Sequence, residues 1–169
     1  MPNLTLRGCC IGTGRPKVII PIVERTESAI LEKAAAFSTL KVDCVEWRAD
    51  WFDAVSDVNA LAHCLHGLRT ALGEKLLLVT FRTTVCASGC ADLLDIEFFP
   101  NREALPALIA QAHAAGIAVV CSSHDFEKTP PKEELVRRMT AMQQVVTHRP
   151  KRAIIFPSPA HVRYALAAT

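Results

Sequence analysis

The chain has no apolar stretch of the roughly 20 residues that a membrane-spanning helix needs. Its start, "MPNLTLRGCCIGTGRPKV", lacks the apolar core of a secretory signal. Both absences argue against a membrane or exported protein and predict a cytoplasmic one. Charge of one sign is also scarce. A formal net charge of +2 is too small to argue for nucleic acid or a lipid surface as partner. The one basic cluster is "HRPKR", residues 148 to 152. Paired cysteine knuckles are missing: Cys9 and Cys10 are adjacent, and Cys86 and Cys90 are four apart. Neither spacing is that of a zinc site, so no metal is expected. Seven cysteines, an odd number, argue against a disulfide framework. Cys44 and Cys121 stand inside apolar runs and read as small core residues. "IGTGRPK" holds a lone G-x-G that precedes a strand and lacks the third glycine, so it is a turn and not a dinucleotide fingerprint. There is no tandem repeat and no low-complexity linker.

What is present fits one domain spanning residues 1–169, half hydrophobic by composition and long enough for a sizeable core. Short apolar runs at 17–23, 42–48, 75–82, 91–99, 117–123 and 152–158 alternate with segments of helical period at 26–40, 55–72, 101–116 and 132–146. Ser56 is placed to cap the second helix, Gly116 to end the third, and Thr129-Pro130 to open the fourth. Strands alternating with helices predict βαβ units and a mostly parallel sheet. Several strands are apolar almost throughout, as strands covered on both faces are. One connection is too short. Only Arg82 to Cys90 lies between the third and fourth runs, whereas a parallel crossover needs about a dozen residues or more. Either this pair is not conventionally connected, or a helix is absent.

Polar residues recur at the ends of the runs. Glu46 and Arg48 close the second and, two apart, share a face; Arg82 closes the third; His124 and Asp125 follow the fifth. In parallel α/β folds the carboxyl ends of the strands build the site. Each residue also has a plain structural reading: an ion pair for Glu46 and Arg48, an edge cap for Arg82, a satisfied core histidine for His124. His63 and His66, three apart on a helix, read as a surface or half-buried pair. Lys151, in "THRPKRAIIF", reads by itself as part of a solvated basic loop. If it instead begins the sixth strand, it shares a face with Ala153 and Ile155. A lysine desolvated there beside Arg48 would have a lowered pKa, and its neutral amine could attack a carbonyl to form an imine, with His124 as acid–base partner.

The stretches "GTGRPKVIIPIV", "DCVEWRADWFD", "LLLVTFRT", "SGCADLLDIEFF", "SSHDFEKTPPKEELVRRMTAMQ" and "SPAHVRYALAAT" resemble type I 3-dehydroquinate dehydratase in the family's order. The resemblance implies a (β/α)₈ TIM barrel and conversion of 3-dehydroquinate to 3-dehydroshikimate through a lysine Schiff base, without metal or organic cofactor. It implies imine formation at Lys151, proton transfer by His124, and a substrate pocket lined by Glu46, Arg48 and Arg82. The family also carries a glutamate-bearing loop and a helix after its third strand, and two further βα units beyond the sixth. Neither has a counterpart here, so the expectation is an incomplete barrel of about six βα units. Such a barrel leaves two open edges, and a homodimer is one way to cover them. Two other readings use the same residues: a family remnant without turnover, and an anion- or partner-binding module built on Arg48 and Arg82.

Overall fold

In the computed structural model, which describes residues 4–11, 14–80, 89–98, 103–123 and 130–145, five of the six apolar runs become parallel strands. They are β3 (Ile19–Ile22), β4 (Cys44–Arg48), β5 (Leu76–Thr80), β6 (Leu93–Glu97) and β7 (Ala118–Ser122), hydrogen-bonded in that order. The sixth run lies outside the described residues, as do Arg82, His124 and Lys151. The helices are α1 (Glu27–Ser38), α2 (Val58–Leu72), α3 (Leu105–Ala114) and α4 (Lys132–Val145), with a 3₁₀ turn at Ala49–Trp51.

The helix boundaries follow local chemistry. Asp57, not Ser56, caps α2: its Oδ1 accepts from the backbone N–H groups of Asn59 at 2.9 Å and Ala60 at 3.2 Å. The helix starts one residue later than Ser56 would set it, and a carboxylate is the better acceptor at the positive end of the helix. Thr26 caps α1 through the N–H of Ala29. Gly116, at φ 74°, turns the chain after α3 as expected. In α4 the carbonyl of Pro131 accepts the first helical bond, from Leu135 N–H. The helix therefore opens at Lys132, and Thr129, the expected cap, lies outside the described residues.

Alternation along each strand divides the core in two. Outward residues Ile22, Val45, Trp47, Leu77, Val79, Leu94, Ile96, Val119 and Cys121 pack under the helices. Trp47 is fully buried there, with its ring centroid 5.9 Å from that of Phe52. Inward residues Cys44, Leu76, Leu78, Leu93, Ala118 and Val120 form a second cluster, closed at the amino ends by Leu4, Leu6, Cys9 and Ile11. Those four belong to a hairpin the sequence pattern did not disclose, β1 (Leu4–Leu6) against β2 (Cys9–Ile11). Arg7 and Gly8 form its two-residue loop at φ 43° and 72°, both positive, as a type I′ turn requires. Cys44 and Cys121 are buried thiols, as expected, and burial pushes both up to about 12. His63 and His66 are both exposed: His63 lies 3.4 Å from Glu27, and His66 Nδ1 lies 3.3 Å from Cys90 Sγ.

The pair with the short connection, β5 and β6, is a true parallel pair, with Leu78 opposite Leu93 and Thr80 opposite Asp95. Residues 81–92 join them, and the described part, 89–92, contains no helix. Asp92 sits at the end of this connection and gathers three donors. Its Oδ1 accepts from Arg7 Nε at 2.7 Å; its Oδ2 accepts from Arg69 Nη1 at 2.8 Å and Leu77 N–H at 2.9 Å. One carboxylate thus ties the hairpin, α2 and β5 together.

Candidate active site

The inner face changes character along the strands. Near the amino ends it is apolar, against the hairpin. At the carboxyl ends it carries Glu46, Arg48, Thr80, Asp95, Glu97 and Ser122. Register explains the grouping. Arg48 lies opposite Thr80 and Thr80 opposite Asp95, so these three emerge from neighbouring strands in register, while Glu97 and Ser122, opposite each other, stand two residues further along. Period-two alternation keeps Glu46 and Arg48 on this face while Val45 and Trp47 face the helices.

The two sequence-predicted residues inside the described set are each held by a partner that sequence reasoning did not name. Glu46 does not pair with Arg48. Its Oε1 accepts a hydrogen bond from Thr80 Oγ1 at 2.6 Å. Arg48 donates from Nε and Nη2 to the two oxygens of Asp50, at 2.8 and 2.6 Å. Both ends of that ion pair are about two-fifths exposed. It therefore adds little stability, but its two-point geometry fixes the plane of the guanidinium. The hydrogen bond to Asp50 also raises the Arg48 pKa, so the group stays cationic. The reading of Glu46 and Arg48 as a mutual ion pair is thereby replaced.

Asp95 and Ser122 are the buried polar residues of this face. A period-two signal was available for two of the missed residues: Thr80 stands two before Arg82, and Ser122 two before His124. Asp50 follows Arg48 at the same spacing, but within a 3₁₀ turn, where the strand rule does not apply. Ser122 is fully buried and, among the described residues, its Oγ has no hydrogen-bond partner. Burying an unpaired hydroxyl costs about 1–3 kcal/mol. Ser122→Ala is accordingly expected to raise stability by about 1 kcal/mol, seen as a rise of about 2–4 °C in melting temperature. A melting temperature at or below that of the parent chain would contradict this.

A parallel sheet with helices outside, an apolar floor and a polar rim at the carboxyl ends is the pattern of an α/β-barrel type of protein, a class in which small-molecule sites lie at the strand ends. Comparisons with known proteins narrow the class. The family model described as Type I 3-dehydroquinase matches residues 18–89 and 84–158. A 3-dehydroquinate dehydratase of Bacillus subtilis is 38% identical, with 92% of this chain and 68% of the relative aligned. That of Bacillus licheniformis is 36% identical over 97% of this chain and 72% of the relative. The solved type I 3-dehydroquinate dehydratase of Clostridium difficile superposes with a TM-score of 0.86 at 30% identity, covering 99% of this chain and 74% of that one. The Enterococcus faecalis enzyme gives a TM-score of 0.83 at 36% identity, covering 98% and 77%. The chain belongs to the type I 3-dehydroquinase family.

The matches also bear on the short connection. The two stretches of the family model meet at residues 84–89, inside the β5–β6 connection. The alignment to a Listeria monocytogenes relative runs 188 positions over a chain of 169 residues, so that relative has positions with no counterpart here.

Proposed function

We propose that this chain, acting as a single domain, converts 3-dehydroquinate to 3-dehydroshikimate through a lysine imine. The observation that carries the reading is the family match, whose second stretch contains both His124 and Lys151. The cation held at Arg48 and the acceptor at Glu46, side by side at the strand ends, support it. They suit an anionic, polyhydroxylated ring. A further support is the Clostridium difficile structure, described as carrying covalently modified comenic acid.

The chemistry follows from the groups. The neutral Lys151 amine adds to the C3 ketone and, with one proton taken up from solvent and returned on the final hydrolysis, water leaves to give a protonated imine. That cation accepts electron density from C2 as His124 removes the C2 proton. The electrons return to expel the C1 hydroxyl, which takes the proton from His124 and departs as water. Hydrolysis of the imine then frees product and lysine. Arg48 and Arg82 hold the anionic substrate and Glu46 orients its ring hydroxyls. The same proposal includes a cytoplasmic location and a homodimer that covers the edge of β3, which has no second strand partner among the described residues. It includes no contact with nucleic acid.

Borohydride added during turnover should reduce the imine and leave one covalent adduct on Lys151. Its mass is that of the substrate less one water plus two hydrogens, or one further water less for the product-derived form. Peptide mapping locates it. An unmodified chain that still gains thermal stability from quinate would support the anion-binding module instead. An unmodified chain with no such gain would support the remnant without turnover.

A further inference from the structure

We propose that Thr80 is a positioning residue: its hydroxyl holds the Glu46 carboxylate in the orientation that receives substrate. The inference rests on the reading of Glu46 as a substrate-binding group. Its own support is geometric.

Glu46 is a long side chain with three free torsions, set on β4. Left alone, such a carboxylate samples several rotamers and loses that freedom when a ligand binds. Here Thr80 Oγ1 donates to Oε1 at 2.6 Å, the length of a charge-assisted O–H···O⁻ bond. The donor comes from a different strand, β5, whose register on β4 sets Thr80 beside Arg48 and one pleat above the residue opposite Glu46. Threonine suits the task because its β-branching restricts χ1, so the hydroxyl direction is fixed by the strand. Serine could make the same bond with a looser torsion; valine has the same shape and cannot make it.

The consequence is a division of the carboxylate. Oε1 is committed to Thr80. Oε2 has no hydrogen-bond partner among the described residues and is left to accept from a ligand hydroxyl. On the neighbouring residue of the same face, Arg48 is immobilised by Asp50 in the same manner. A cation and an acceptor, both pre-oriented, then meet one anionic, hydroxylated ligand.

The test compares Thr80→Val and Thr80→Ser with the parent chain by steady-state kinetics on 3-dehydroquinate and by calorimetric binding of quinate. Thr80→Val should raise KM and the quinate Kd roughly tenfold, the effect of one lost charge-assisted bond, with kcat within about twofold. Thr80→Ser should recover most of the affinity. Melting temperatures of all three should agree within about 3 °C, which separates positioning from a folding defect. The proposal is overturned if Thr80→Val binds quinate within twofold of the parent, or if Thr80→Ser is as weak as Thr80→Val. A parent chain that binds quinate but is not captured by borohydride overturns the catalytic reading alone, and the Kd comparison still decides the role of Thr80. A parent chain that does not bind quinate overturns the Thr80 proposal too.

Discussion

Lys151→Ala is expected to abolish borohydride capture of 3-dehydroquinate altogether, whereas His124→Ala should keep capture and lose turnover. The proposed mechanism gives the two residues separable tasks. Without an amine there is no C=N bond for hydride to reduce, so no adduct forms at any substrate concentration. Lys151→Arg should behave identically, because a guanidinium stays protonated and does not add to ketones. Without the imidazole, the imine still forms, but nothing is positioned to take the C2 proton and return it to the leaving hydroxyl. Loss of one general acid–base group lowers kcat by roughly 10²- to 10⁴-fold. Mass spectrometry of the reduced protein reads the first effect and initial-rate kinetics the second. Capture that survives Lys151→Ala would place the imine on another lysine. Unchanged kcat in His124→Ala would assign the proton transfers elsewhere.

The largest expected effect on stability falls far from that chemistry, at Asp92. Its side chain is only 11% exposed and accepts from Arg7, Arg69 and the Leu77 N–H. Arg69 is 15% exposed, and its Nη2 also donates to the carbonyls of Gly73 and Lys75. Asp92→Ala strands a nearly buried guanidinium and a strand N–H together. Breaking a buried pair in this way costs about 3–5 kcal/mol, or on the order of 10 °C in melting temperature for a chain of this size. Urea unfolding with an unchanged m-value checks it. Arg7→Ala is the contrasting case. Arg7 is 32% exposed and its second partner, Glu74, is 87% exposed, so its removal should cost no more than about 1 kcal/mol. Equal losses in the two variants would show that Asp92 acts through the hairpin and not through Arg69.

The position of Asp92 shows why the β5–β6 connection can be short. A conventional crossover would join the two strands through a helix. Here Asp92 N–H donates to Leu77 C=O and Ala118 N–H donates to Asp92 C=O, so the end of the connection is stitched into the sheet on both sides. The side chain then anchors it to α2. These tertiary bonds hold the start of β6 in register at the end of a connection too short for a conventional crossover.

Much of this was legible from periodicity. The five apolar runs inside the described residues read as buried strands, and the segments of period 3.6 between them pointed to a parallel sheet. Alternation alone put Glu46 and Arg48 on one face, because the side-chain period of a strand is two whatever the strand packs against. The hairpin was not legible: three-residue strands are too short to show a period, and Arg7 at positive φ gives no signal in composition. Nor were the partners of the site residues. Thr80 on Glu46 depends on how β5 is registered against β4, and Asp92 on Arg69 depends on how α2 lies across the sheet. These are distances between segments remote in sequence, and no local pattern encodes them. The sequence by itself determined which residues face inward, since backbone geometry dictates that strand by strand; only the tertiary structure decided which of them meet, since inter-strand register is set by the packing of the whole sheet.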